Sequence, residues 1–177
     1  MNEEKINSLP KKEQYDFLFK IIFTGDCGVG KSNFLLRYMH DSFEQTSPTI
    51  GVEFATKVIA LKNSMRVKAQ IWDTSGCEKY KSITTGHYRR SVGALMFYDI
   101  TNEQSFLNLD YWLRNIRENA DEYVVIALVA NKCDIMTTAP ARREVIKERA
   151  VKYAKDNGLL FIDESSASMN IMVDEVF

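Results

Sequence analysis

Apolar residues recur along this chain in three rhythms, and each predicts a different element. Runs of strand length occur at Phe17 to Phe23, Gly93 to Ile100 and Tyr123 to Ala130, the pattern of interior strands covered on both faces. Residues Arg66 to Thr74 alternate instead. Val67, Ala69 and Ile71 share one face and Arg66, Lys68 and Gln70 the other, so with Phe54 to Leu61 they predict a hairpin joined through Lys62-Asn63-Ser64. The third rhythm is helical. Phe34, Leu35 and Tyr38 define one helix, and Phe106, Leu109, Leu113 and Ile116 another, opened by a capping box of Thr101 with Gln104. A further helix runs from about Lys147 to Asn157 and stops at Gly158. After Phe161-Ile162-Asp163-Glu164 a last helix is expected to begin. Strands alternating with helices predict an α/β fold: a mostly parallel, six-stranded sheet with one antiparallel edge strand and helices on both faces.

Bulk properties narrow the possibilities little further. At 177 residues the chain suits one domain, expected over 15–177 behind a polar, non-periodic leader at 1–14. A net charge of −1 offers no electrostatic case for nucleic acid or a membrane surface. Cys27, Cys77 and Cys133 form no zinc or disulfide spacing and suit a reducing compartment. There is no signal peptide, no spanning apolar run, no myristoylation signal and no prenylation cysteine near the end of the chain. The expectation is a cytoplasmic protein that binds no nucleic acid and carries no direct membrane anchor in this sequence.

The chemistry lies where such a sheet keeps it, just past the strands. Gly25-Asp26-Cys27-Gly28-Val29-Gly30-Lys31-Ser32 fits the phosphate-binding pattern G-x-x-x-x-G-K-[ST] at every fixed position, between a strand and a helix. Glycines let successive backbone N–H groups turn inward toward an anion, and the following helix presents its positive end. Lys31 adds a point charge for the outer phosphates, and the Ser32 hydroxyl can hold Mg²⁺. Asn131-Lys132-Cys133-Asp134 then chooses the base. A carboxylate at Asp134 accepts hydrogen bonds from N1–H and the exocyclic amine of guanine, a pair that adenine does not offer. A site built on such bonds rejects the wrong analogue by ~10⁴–10⁵ in favourable cases. Asn131 is expected to brace the loop, and the Lys132 stem to lie along the ring face.

With Thr49-Ile50-Gly51-Val52-Glu53-Phe54, Ala69-Gln70-Ile71-Trp72-Asp73-Thr74-Ser75-Gly76, Tyr98-Asp99-Ile100-Thr101 and Glu164-Ser165-Ser166-Ala167 added, the sequence resembles the Ras-like small GTPases, and specifically the Rab branch. The matching stretches cover nearly the whole chain from Tyr15 onward. The resemblance implies the G domain of the P-loop NTPases, acting as a GTP/GDP switch in vesicle traffic. It implies that Ser32 and Thr49 ligate Mg²⁺, with Asp73 reaching it through a water. The nucleotide would be held by Asp26, Cys27, Gly28, Val29, Gly30, Lys31, Ser32, Asn33, Phe43, Thr49, Gly76, Asn131, Lys132, Asp134, Ser166, Ala167 and Ser168. Of these, Gly76 would donate to the γ-phosphate, Phe43 would pack edge-on against guanine, and the Ala167 N–H would meet the guanine oxygen. Lys31, Gly76 and the residue at position 77 would serve hydrolysis. Ile50, Gly51, Val52, Phe54, Trp72 and His87 would form the effector face, and an exchange factor, a GTPase-activating protein and effectors would be the partners.

The departures from that pattern carry their own expectations. Cys77 stands where the family has glutamine, which predicts weak hydrolysis, or a GTP-binding scaffold with negligible turnover as the alternative. Five residues separate Phe43 from Thr49, one fewer than the family pattern, with no tyrosine among them. Ser168 replaces a lysine, His87 an aromatic residue and Arg90 a glycine. The last helix of this fold should also be longer than Val173 to Phe177 allows, so the chain is read as cut from a longer protein whose remainder would supply any membrane association.

Overall fold

The computed structural model describes residues 14–44, 47–77 and 85–177. The expected leader at 1–14 therefore lies almost wholly outside the described residues. Six strands form one sheet in the order β2-β3-β1-β4-β5-β6: β1 (Phe17–Gly25), β2 (Val52–Ala60), β3 (Arg66–Thr74), β4 (Gly93–Asp99), β5 (Val125–Asn131) and β6 (Leu160–Glu164). All neighbouring pairs are parallel except β2 with β3, so the expected antiparallel edge strand is β2. The β2–β3 turn closes through Leu61 N–H to the Met65 carbonyl at 2.8 Å, with Ser64 left-handed at φ 65°.

Alternate residues of one strand feed two separate cores along β4 and the later halves of β1 and β5. Phe17, Leu18 and Phe19 at the start of β1, and Tyr123 and Val125 at the start of the Tyr123 to Ala130 run, are exposed, against the expectation of burial along the whole run. Ile22, Met96, Tyr98 and Leu128 meet Leu109, Trp112, Leu113, Ile116, Ala150 and Ala154 on one side of the sheet. Phe23, Phe97 and Val129 meet Phe34, Leu35 and Tyr38 on the other. Those partners come from α3 (Leu109–Asn119) and α4 (Lys147–Asn157) on the first side and from α1 (Lys31–His40) on the second. Gly158 closes α4 in the left-handed conformation, as its sequence predicts.

Two expectations about helices need correction. The stretch after β4 is two helices, α2 (Glu103–Leu107) and α3, broken at Asn108. The expected capping box is absent. Asn102 caps α2 by accepting from the Ser105 N–H, while the Thr101 hydroxyl donates to Asp99 Oδ1 at 2.7 Å. The apolar spacing survives the break because 106, 109, 113 and 116 still share a face on either side of it. Beyond β6, no last helix forms among residues 165–177. Ser166 and Ile171 pair in an isolated bridge, and Asn170 and Met172 take φ of 52° and 57°, values a right-handed helix excludes. Phe177 instead lays its ring on Tyr38, centroids 3.7 Å apart and planes 10° apart.

Candidate guanine-nucleotide site

β1 delivers the chain to the phosphate loop, and α1 begins at Lys31 directly after it. Gly30 is left-handed at φ 97°, and a Cβ there would meet the Asn131 carboxamide nitrogen at 2.4 Å. Glycine is thus required twice over, for conformation and for space. Lys31 is buried, its Nζ donating to the carbonyls of Gly25 and Asp26 at 2.8 Å each. Burial pulls its pKa down, opposed by the charges of Asp73, Cys27, Asp26 and Cys77 around it.

The Asn131–Asp134 loop at the end of β5 is fastened to the glycine-rich loop after β1. Asn131 Nδ2 donates to the Val29 carbonyl at 2.9 Å, and its Oδ1 accepts from the Ala167 N–H at 3.3 Å. Lys132 Nζ donates to the Gly28 carbonyl at 2.7 Å and pairs with Asp99 at 2.7 Å. Asp134 Oδ1 accepts from the Ser166 hydroxyl at 2.7 Å, and that hydroxyl lies 3.0 Å from Ser168 Oγ. From α1, Arg37 holds the Ala167 and Ser168 carbonyls. Bidentate pairing of Arg143 with Glu164 at 2.6 and 2.8 Å steadies the strand that carries the loop.

These loops enclose a cavity of roughly 630 Å³. Cys27, Gly28, Gly30, Lys31, Ser32, Asn33, Phe43, Thr49, Gly76, Asn131, Lys132, Asp134, Ala167 and Ser168 line it. Three expected contacts stand back from its wall. Val29 is buried behind the loop, Ser166 acts on Asp134, and Asp26 turns its side chain to α3 and the Asn108 that precedes it. The wall also includes Glu44, Ser47, Pro48 and Ile135, which no motif marked; Glu44, Ser47 and Pro48 lie between Phe43 and Thr49, where reading by motif alone is silent.

At one end of the cavity three oxygen donors converge. Ser32 Oγ lies 2.7 Å from Thr49 Oγ1 and 2.5 Å from Asp73 Oδ2. Asp73 Oδ1 is buried and has no hydrogen-bond partner among the described residues. Burial pushes this carboxyl up to about 6, against the pull of Lys31 and Ser32. Two hydroxyls and an under-satisfied carboxylate are hard oxygen ligands, and they fit a small divalent cation such as Mg²⁺.

The sequence of this chain matches the Ras family over residues 20–177. The chain belongs to the Ras family. Among relatives of that family, it is 48% identical over 168 residues to the GTP-binding protein ypt3 of Schizosaccharomyces pombe, covering 94% of this chain and 76% of the relative. It is 46% identical over 167 residues to the Ras-related protein Rab-10 of Caenorhabditis elegans, covering 94% and 80%. It is 45% identical over 164 residues to the Ras-related protein Rab-8A of Bos taurus, covering 92% and 76%. The chain is accordingly a Rab-type small GTPase, which binds GTP and GDP and hydrolyses GTP.

Beside this Ras-family cavity lies a second cluster. Phe54 and Trp72 face each other across β2 and β3 with ring centroids 4.8 Å apart, and His87 lies 5.3 Å from Trp72. Lys20 Nζ sits 4.8 Å over the Trp72 ring. Ile50 is 82% exposed. Gly51 connects it to β2, which begins at Val52, and the Gly51 carbonyl accepts from the Ser75 N–H at 2.9 Å. Cys77 is half-buried, and its N–H donates to Ser75 Oγ at 3.3 Å. No described helix is long and apolar enough to cross a membrane.

Proposed function

We propose that this Rab-type GTPase is a Mg²⁺-dependent switch in vesicle traffic that hydrolyses GTP slowly and signals through the Phe54, Trp72 and His87 face. The observation that carries this reading is the enclosure of Lys31 and Asp134 in one cavity. One meets phosphates, while the other, oriented by Ser166, matches the donor edge of guanine. Mg²⁺ held by Ser32, Thr49 and Asp73 would supply positive charge to the outer phosphates. The residues of the chain do the rest: backbone N–H groups of 28–32 hold the phosphates, and Thr49 and the Gly76 N–H are drawn in by the γ-phosphate and released with it. Slow turnover follows from Cys77. A glutamine amide offers both a donor and an acceptor to align the attacking water, and a thiol is weak at both. The same residue favours the second reading, a GTP-dependent scaffold with negligible hydrolysis. Exchange factors, activating proteins and effectors are the partners this reading expects, met in the cytoplasm or at a membrane surface.

Nucleotide released by denaturing the purified protein, identified by chromatography, tests the reading directly. Guanine nucleotide is expected, and adenine nucleotide or none would overturn it. Multiple-turnover phosphate release from GTP then separates the slow enzyme from the scaffold.

A further inference from the structure

Asp26 is the second residue of the phosphate loop, yet its carboxylate faces away from the cavity. Oδ2 accepts from Asn108 Nδ2 at 2.6 Å, and Oδ1 accepts from Trp112 Nε1 at 2.7 Å. Neither donor is casually placed. Trp112 is 3% exposed within the α3 core. Asn108 sits at the break between α2 and α3, where its Oδ1 accepts from Gln104 Nε2 at 3.0 Å, so its amide is held at both ends. The backbone of Asp26 has two further duties. Its carbonyl accepts from Lys31 Nζ at 2.8 Å, and Gly76 packs on the peptide that follows. A Cβ on Gly76 would lie 2.3 Å from the Asp26 carbonyl carbon and 2.4 Å from the Cys27 nitrogen. One peptide unit therefore meets Lys31, Gly76 and, through its side chain, α3.

A carboxylate beside a phosphate cradle repels the ligand unless its charge is directed elsewhere. Hydrogen bonds to a charged acceptor are short and strong, and a pair of them fixes direction as well as distance. We propose that Asn108 and Trp112 tether Asp26 so that its charge is kept off the phosphates and its peptide is held in register for Lys31 and Gly76. Asp26 is on this account a positioning residue for nucleotide retention, acting through its backbone, and Trp112 is its anchor. The proposal rests on the reading of the cavity as a guanine-nucleotide site.

The test is a double-mutant cycle on the full chain, read as the rate at which fluorescently labelled GDP is displaced by excess unlabelled GDP in Mg²⁺. Trp112→Phe removes one donor to a charged group and is expected to speed release ~10-fold or more. Asp26→Asn added to Trp112→Phe removes the charge that was set loose, and release is expected to slow again. Loss of packing alone predicts the opposite, a double variant releasing GDP as fast as Trp112→Phe or faster, and that result overturns the proposal. If Trp112→Phe does not fold, Asn108→Ala replaces it in the same cycle. The chain has two tryptophans, so in a Trp72→Phe background emission reports on Trp112 alone. That emission is expected to shift when GDP is exchanged for a non-hydrolysable GTP analogue, and to stop shifting once Asp26→Asn is introduced. A Trp112 signal indifferent to both changes counts against the tether. Wild-type protein that binds no labelled GDP would instead overturn the reading of the cavity.

Discussion

The carboxamide of Asn131 spans the two halves of the site, donating to the Val29 carbonyl at 2.9 Å from 102 residues further along the chain. Both groups are buried, so removing one partner leaves the other unsatisfied, at a cost of ~1–3 kcal/mol. Asn131→Ala is expected to lower unfolding free energy by that amount in urea, and to speed GDP release in parallel. A variant of unchanged stability and unchanged release would show that the two loops are held together by other contacts.

Asp134 is the residue proposed to select the base. Asp134→Ala is expected to narrow the gap between GTP and ATP binding by ~10²-fold or more, on the view that the discrimination rests on hydrogen bonds to the base edge. Calorimetry with both nucleotides checks it. Wild-type protein that binds ATP as tightly as GTP would remove the basis of guanine specificity altogether.

Hydrolysis should respond to Cys77. Replacing a feeble donor and acceptor by an amide that aligns water restores one aimed hydrogen bond, worth ~10²–10³ in rate where such bonds have been removed elsewhere. Single-turnover hydrolysis of GTP by Cys77→Gln is expected to rise within that range. A rate unchanged from wild type would place the limit in the short segment between Phe43 and Thr49.

Arg90 occupies the left-handed region at φ 61°, a conformation that costs a side-chain-bearing residue ~1–2 kcal/mol and glycine almost nothing. Arg90→Gly is expected to raise stability by about 1 kcal/mol, after part of the gain is offset by the freer unfolded chain. Chemical denaturation measures it. A loss of stability would mean that the Arg90 side chain makes compensating contacts.

With Gly76 packed as it is here, a Cβ would overlap the Asp26–Cys27 backbone. Gly76→Ala is expected to keep GDP affinity within ~3-fold while losing at least ~10-fold for GTP, on the view that the γ-phosphate alone recruits this residue. Equal losses for the two nucleotides would show that the clash deforms the phosphate loop itself.

Much of this was legible in the residues before any coordinates. Gly93 to Ile100 announces two-sided burial because a strand with a core on each face has no polar position to spare. Phe17 to Phe23, by contrast, reads as buried throughout, although Phe17, Leu18 and Phe19 are exposed and only Ile22 and Phe23 are fully covered. The phosphate loop and Asn131-to-Asp134 are legible because backbone geometry and base chemistry leave few residue choices. Periodicity misses the α2–α3 break because Phe106, Leu109, Leu113 and Ile116 keep a common face across it, and Asn108 looks like any polar helix residue until its partner Asp26 is seen. Asp26 itself reads as a nucleotide contact, since a motif reports position along the chain and not the direction of a side chain. Residues 165–177 mislead for a related reason: the reversal made by the Ser166–Ile171 bridge outweighs helical propensity that nothing nearby rewards.

The hydrogen bond from Ser75 to Gly51 has a consequence for how much a partner can learn by touch. It continues the ladder of β2 and β3 past Val52 and Thr74, so the segments carrying Thr49 and Gly76 leave the sheet as neighbouring ends of one hairpin. Two loops hinged on the same rung do not report independently. A displacement of either strains the shared bond, and the free energy of that strain is a coupling between them, reciprocal by necessity. A protein gripping only the first loop would thereby also sense the second, and the pair would transmit one bit rather than two.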